Sequence, residues 1–442
     1  MNRTVSLLLL LALSACGEPA GVARGPDVVI IVMDTTRGDR CSVNGYGKPT
    51  TPALTALARE GTLFRNAWGP ADWTGPGHAS LFTGLRPENH GFLRAVRDYL
   101  DESAVTLAER LKAAGYRTAC FSNNPTFAEE FGLCQGFESI FPLYEDEDRP
   151  YPWSRATHDM ALEWIVDSRR GGRPFFLFVN DMEPHVPYTP PQETTPAFLP
   201  PGVPATTVAA ARELTAGNLF GHNCRARPLG AGTLAAISGL YDGEIACLDA
   251  EIGRFVEALR GRGLLDRTLF VVTADHGENL GDHGLTDHMF SLHRSVRHLP
   301  MVVRYPPAIP AGKVVDDLVR LEDVAPTVLE IAGLEPLVAI DGLTLRGDVT
   351  GRLSYGAADA PHGLLDRLAK EFPLPFSDTE LRHDIRAVAD GRHHYIRYSS
   401  GREELYDLVN DPAEKWNLAS KSGPELDRMR ALLEQGRLPR PR

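Results

Sequence analysis

Three apolar runs in this chain each stop at residues able to do chemistry. Val28 to Met33 ends at Asp34, Phe175 to Val179 ends at Asn180-Asp181, and Thr268 to Thr273 leads through Ala274 into Asp275-His276. Runs that are apolar at every position, rather than at alternate ones, predict strands buried on both faces of a largely parallel sheet. Between them, Pro52 to Glu60, Val105 to Ala114 and Gly239 to Arg260 predict helices, with Thr50-Thr51 as a candidate cap for the first. This alternation predicts an α/β fold, a doubly wound sheet flanked by helices. Ligands in such sheets gather at the carboxyl ends of the strands, where these polar residues fall.

The pattern changes at both ends of the chain. Ile385 to Ala389, His393 to Tyr398 and Glu404 to Leu408 are short runs joined by Asp390-Gly391 and Ser400-Gly401, which predicts a small antiparallel subdomain over residues 385–442. At the other end Arg3 precedes an apolar stretch, Val5 to Leu13, too short to span a bilayer, so residues 1–15 are expected to be a signal peptide. Its ending, Leu13-Ser14-Ala15-Cys16, resembles a bacterial lipobox. That resemblance implies a lipid-anchored, extracytoplasmic protein tethered by residues 16–26, ahead of a main domain over 27–384. Pro184 to Pro204 is proline-rich and without apolar periodicity, which predicts a surface loop or lid over the strand ends.

Composition narrows the class. With 43% hydrophobic residues in 442 the chain can bury a large core, and its net charge of -12 argues against a nucleic-acid binder. Apart from Cys16 there are five cysteines, an odd number with no CxxC pair, so no zinc-finger reading survives.

Asp34, Asp275 and His276 form the natural core of a divalent-cation site, two carboxylates and an imidazole at neighbouring strand ends. Thr74 opens Thr74-Gly75-Pro76-Gly77-His78, a loop entering a helix, where a hydroxyl faces the positive end of the helix dipole. Capping would explain the same threonine, so only the cation site separates the two roles. Five of the 14 histidines, at 276, 283, 288, 293 and 298, fall in one short window.

These segments together resemble the sulfatase family within the alkaline phosphatase superfamily. Asp34-Thr35-Thr36-Arg37-Gly38-Asp39 with Gly45-Tyr46-Gly47 and Thr50-Thr51-Pro52-Ala53-Leu54 resembles its opening metal-ligand strand and first helix. Thr74 to Gly84 is similar to its nucleophile segment, and Pro184-His185-Val186-Pro187 to a substrate-proximal loop. Asp275-His276-Gly277-Glu278 with Gly281-Asp282-His283-Gly284 resembles its second metal cluster, and Asp323 to Thr327 and Leu405 to Pro412 its later signatures. The resemblance implies an alkaline-phosphatase-like mixed sheet. It also implies a metal at Asp34, Thr74, Asp275 and His276, and roles for His78, His185 and His288 near the transferred group.

The departure from the family lies at the nucleophile. Its usual Cys or Ser, converted to formylglycine, is Thr74 here, and the arginine four residues later is His78. A secondary alcohol oxidises to a ketone, so the aldehyde route is closed to Thr74. The expected chemistry is attack by threonine on a phosphate mono- or diester, with hydrolysis or group transfer. The alternatives are sulfuric ester hydrolysis and a catalytically inactive binding lipoprotein. Expected partners are a small-molecule, glycan or lipid ester substrate and the membrane, through the anchor. Oxygen-rich ligands suit Ca²⁺, Mg²⁺ or Mn²⁺; a two-metal version, using the Asp-x-x-x-His spacing of Asp181 and His185, leans toward Zn²⁺.

Overall fold

The computed structural model describes residues 25–437, apart from 95–97, 147, 149–150, 338–339, 372–376, 378 and 422. The expected signal peptide lies outside the described residues, as does nearly all of the tether. Among the described residues no helix is long and apolar enough to cross a membrane.

The apolar runs form the middle of one mixed sheet. Its strands are β1 (Asp27–Met33), β2 (Thr62–Phe64), β3 (Arg117–Ser122), β4 (Ser139–Pro142), β5 (Phe175–Asp181), β6 (Thr268–Thr273), β7 (Met301–Arg304) and β8 (Lys313–Val315), ordered β8-β2-β7-β6-β1-β5-β3-β4. From β6 through β1, β5 and β3 to β4 the pairing is parallel, while β7 runs antiparallel to both β6 and β2. Val28, Ile30 and Val32 enter one hydrophobic core and Val29, Ile31 and Met33 the other, as an unalternating strand requires. Each such side chain contributes about 1.5–3 kcal/mol relative to exposure, which fixes β1 at the centre of the sheet.

Helices cover both faces. α1 (Pro52–Arg59), α4 (Trp153–Arg169) and α5 (Ala231–Gly261) bury apolar residues in the second core, α2 (Thr74–Thr83) and α3 (Leu107–Ala113) in the first. At α1 the expected threonine cap is only half present. Thr51 occupies the cap position, but its side chain makes no capping bond and instead accepts from the backbone of Val43, tying α1 to the loop after β1.

The C-terminal sheet comprises β9 (Ser354–Ala358), β10 (Ile385–Ala389), β11 (His393–Tyr398) and β12 (Glu403–Asp407), all antiparallel, with α6 (Gly423–Arg437) packed against it. Its first strand comes from well before residue 385. The proline-rich loop is held down rather than free. Tyr188 is fully buried against Tyr241, and Gly239 and Gly243 of α5 leave room for Phe198 and Pro190; a Cβ on Gly243 would lie 3.0 Å from the Pro190 ring.

Candidate active site

The site is built by strand register. β1 pairs with β6 up to Val32 opposite Thr273, and Asp34 and Asp275 each lie two residues beyond that pair. The amide of Asp34 donates to the Asp181 carbonyl, and Thr35, at a φ of 53°, donates its N–H to Asp275 Oδ1 at 3.3 Å. Both carboxylates and His276 are fully buried. His276 Nε2 lies 3.3 Å from Asp275 Oδ2 and 3.9 Å from Asp34 Oδ1, and neither of those two oxygens has a hydrogen-bond partner.

Burial and the facing Asp34 push the Asp275 carboxyl well up. At Asp34 burial acts the same way, but it is outweighed and the carboxyl lies below its usual range, with the Asn180 amide donating to Oδ2. Burial and His288 drive His276 well down, to the neutral imidazole that binds cations. Two buried carboxylates with oxygens turned on a neutral ring nitrogen fit a divalent cation, which would balance their charge and fill the empty acceptor positions.

Thr74 is the first residue of α2, one step further into the helix than expected, and Trp73 before it is extended. Its Oγ1 lies 3.4 Å from His276 Nε2 and 3.3 Å from Asn124 Nδ2. The first N–H groups of the helix lack intrahelical acceptors and favour an anion beside that hydroxyl. Gly77 sets how closely α2 approaches, since a Cβ there would sit 2.9 Å from the Asp275 carbonyl oxygen. Alanine normally stabilises a helix over glycine by about 1 kcal/mol. Here the Asp275 backbone would have to move instead, so Gly77→Ala is expected to lower the melting temperature and reduce kcat about 10²-fold. A thermal melt and steady-state rates check this; an unchanged rate would mean that α2 has slack.

His78 reaches the cluster from below, its Nδ1 3.4 Å from Asp275 Oδ2. It is fully buried beneath the nucleophile turn, its ring centroid 4.9 Å from Phe127 and 5.7 Å from Phe178, and its Nδ1 donates to the Thr74 carbonyl at 3.0 Å. Burial lowers its pKa to about 4, so the ring is neutral near pH 7 and carries no positive charge in place of an arginine. One oxygen of Asp181, the other half of the sequence's Asp-x-x-x-His spacing, is engaged elsewhere: its Oδ2 pairs with His158 of α4 at 2.8 Å, while Oδ1 is buried without a hydrogen-bond partner.

His185 and His288 do reach the site, with ring centroids 5.3 Å apart, and His288 stands 4.5 Å from His276. His185 Nδ1 donates to the Val186 carbonyl at 2.8 Å, which leaves Nε2 available. Asn124 and Asn180 complete the surroundings, donating to Asp34 Oδ2 at 2.8 and 3.1 Å. The strand-end pattern could have pointed to Asn124, because Ser122-Asn123-Asn124 follows the apolar end of β3 as Asp34 follows β1.

Comparison with known proteins decides what this arrangement belongs to. Residues 26–334 match the sulfatase family model, and residues 281–436 match the model of the N-sulphoglucosamine sulphohydrolase C-terminal region. The chain belongs to the sulfatase family. This sulfatase-family hydrolase is 26% identical over 449 residues to an arylsulfatase of Clostridium perfringens, a match covering 89% of this chain and 90% of the relative. It is also 26% identical to the multifunctional alkaline phosphatase superfamily protein PehA of Trinickia caryophylli, over 89% of this chain and 91% of that protein. Its fold is shared with the phosphonate monoester hydrolase of Agrobacterium radiobacter, at a TM-score of 0.73 and 23% identity, covering 93% of this chain and 94% of the other. Sulfatase-family enzymes are metal-dependent, in keeping with the buried Asp34, Asp275 and His276.

Proposed function

We propose that this sulfatase-family protein cleaves or transfers the phosphoryl group of a phosphate mono- or diester, with Thr74 as nucleophile. The observation that supports this most is the position of Thr74 Oγ1, 3.4 Å from His276 Nε2 in the Asp34–Asp275–His276 cluster, on a residue that cannot become formylglycine. Asp34, Asp275 and His276 would hold a divalent cation, with the Thr74 hydroxyl beside them. Such a cation lowers the pKa of a nearby hydroxyl and offsets charge on the transferring group.

The residues divide the remaining work. Thr74, having lost its proton to solvent, forms an Oγ1–P bond as the bond from phosphorus to the leaving oxygen breaks. His185 gives that oxygen a proton from Nε2, while its Nδ1–H stays on the Val186 carbonyl. Water then attacks phosphorus, His185 takes the water's proton, and the Thr74 oxygen leaves. Asn124 orients both Thr74 and Asp34, and His78 braces the helix turn from below. Asn124→Ala is expected to reduce kcat about 10²-fold with metal content unchanged. Elemental analysis alongside initial rates checks it, and an unaltered kcat would remove Asn124 from the site.

A second reading, sulfuric ester hydrolysis through a sulfated Thr74, is favoured by the similarity to the arylsulfatase. Turnover of matched aryl phosphate monoester, phosphodiester and sulfate, with Thr74→Ala as control, separates the two: phosphoester turnover lost in the variant supports the proposal, and preferential sulfate turnover overturns it. The lipobox-like Leu13-Ser14-Ala15-Cys16 supports an extracytoplasmic, lipid-anchored location, which palmitate labelling with and without Cys16→Ala would test.

A further inference from the structure

Beside the first cluster the chain gathers a second trio of donors. Glu278 follows His276 by two residues, and Asp287 is brought back to it by a two-stranded turn that pairs Asn279 with Asp287. One ligand atom from each of Glu278, Asp287 and His288 lies within 4.8 Å of the others, and all three residues are buried. His288 Nδ1 is 2.8 Å from Asp287 Oδ1 and 3.5 Å from Glu278 Oε1. Asp287 Oδ2 and both Glu278 oxygens lack a well-formed hydrogen bond, although the Tyr188 hydroxyl lies close to Glu278.

The surrounding structure holds these donors in place. Arg37 donates to the Glu278 carbonyl at 3.0 Å and to Asp282 at 2.6 Å, and Asn223 grips the turn through both the N–H and the carbonyl of Thr286. Three buried carboxylate oxygens, Asp287 Oδ2 and both of Glu278, are therefore turned into one small space without adequate donors, which is costly unless a ligand fills it. A divalent cation fills those acceptor positions.

We propose that Glu278, Asp287 and His288 form a second divalent-cation site sharing a wall with the first. Two oxygens and one nitrogen suit Mn²⁺ or Zn²⁺ and leave a position open for water or a substrate oxygen. The second cation is thus held by Glu278, Asp287 and His288, and not by the Asp181 and His185 whose spacing the sequence offered. This holds whichever ester is the substrate, because it concerns metal content and not turnover.

The test counts cations. Protein stripped by a chelator is titrated with Mn²⁺ alone and, separately, with Zn²⁺ alone, and the bound metal is measured after dialysis. Wild type is expected to bind two equivalents, the isosteric Glu278→Gln/Asp287→Asn variant one, and Asp275→Asn one. In Mn²⁺-soaked crystals of Asp275→Asn the anomalous signal should then lie at Glu278, Asp287 and His288. Saturation of wild type at a single equivalent overturns the proposal, and so does a double amide variant that still binds two. Should that variant bind none, His288→Gln decides, one equivalent supporting the site and two refuting it.

Discussion

Replacing Thr74 with alanine is expected to cut phosphoester turnover at least about 10³-fold, a loss of roughly 4 kcal/mol of transition-state stabilisation. The effect should fall on kcat, because the methyl side chain leaves Asp34, Asp275 and His276, the residues that would hold a cation, in place. Thr74→Ser separates nucleophile from cap. A serine hydroxyl can occupy the position 3.4 Å from His276 Nε2 and should retain measurable turnover. If Thr74 served only the helix end, alanine would cost about 1 kcal/mol of stability and leave the rate nearly whole. The structure already counts against capping, since Thr74 lies inside α2 and Trp73 in the cap position makes no side-chain capping bond.

The second large effect concerns the cation that Asp34, Asp275 and His276 would hold. Asp275→Asn is expected to abolish activity and one equivalent of bound metal, but its consequence for stability depends on the metal. In metal-free protein the Asp275 carboxyl, pushed well up by burial and Asp34, must on folding either take up a proton or hold a charge against Asp34, and the amide does neither, so the variant should melt at or above wild type. Adding cation at about 100-fold over its dissociation constant should stabilise wild type by about 2.7 kcal/mol for each site that fills. The variant lacks the contribution of the first site, so the order of the two melting temperatures should invert when metal is supplied. Calorimetric melts of both proteins, with chelator and with Mn²⁺, measure this. If wild type remains the more stable protein with the metal removed, Asp275 has a structural role that does not depend on a cation.

The parts of this site that were readable from the sequence are those fixed by strand pairing. Val28 to Met33 and Thr268 to Thr273 could only be buried central strands, and in adjacent parallel strands their last residues bring Asp34 and Asp275 together. Thr74 was readable because it opens a glycine-rich helix start, although the need for glycine at 77 emerged only with the position of the Asp275 carbonyl. What stayed hidden depends on side chains meeting through space. His78 reads as a substitute for a charged arginine, but Phe127 and Phe178 arrive from other segments and leave it neutral. Asp181 and His185 have the spacing of a ligand pair, yet His158 on α4 takes the carboxylate. Glu278 and Asp287 show no periodicity, and only the turn between them makes them neighbours. The proline-rich segment was readable as a surface loop or lid but not in its anchoring, because the glycines that receive it lie on α5, more than thirty residues away.

If Thr74 carries the transferred group, the group can be caught there. Enzyme mixed with an activated aryl phosphate is quenched in acid during turnover, digested and sequenced by mass spectrometry, with Thr74→Ala run in parallel. Threonine-based phosphoryl transfer predicts a phosphoryl mass increment on Thr74 that forms within one turnover, decays as substrate is exhausted and is absent from the variant. Turnover at full rate with Thr74 unmodified, or persisting in Thr74→Ala, would contradict it.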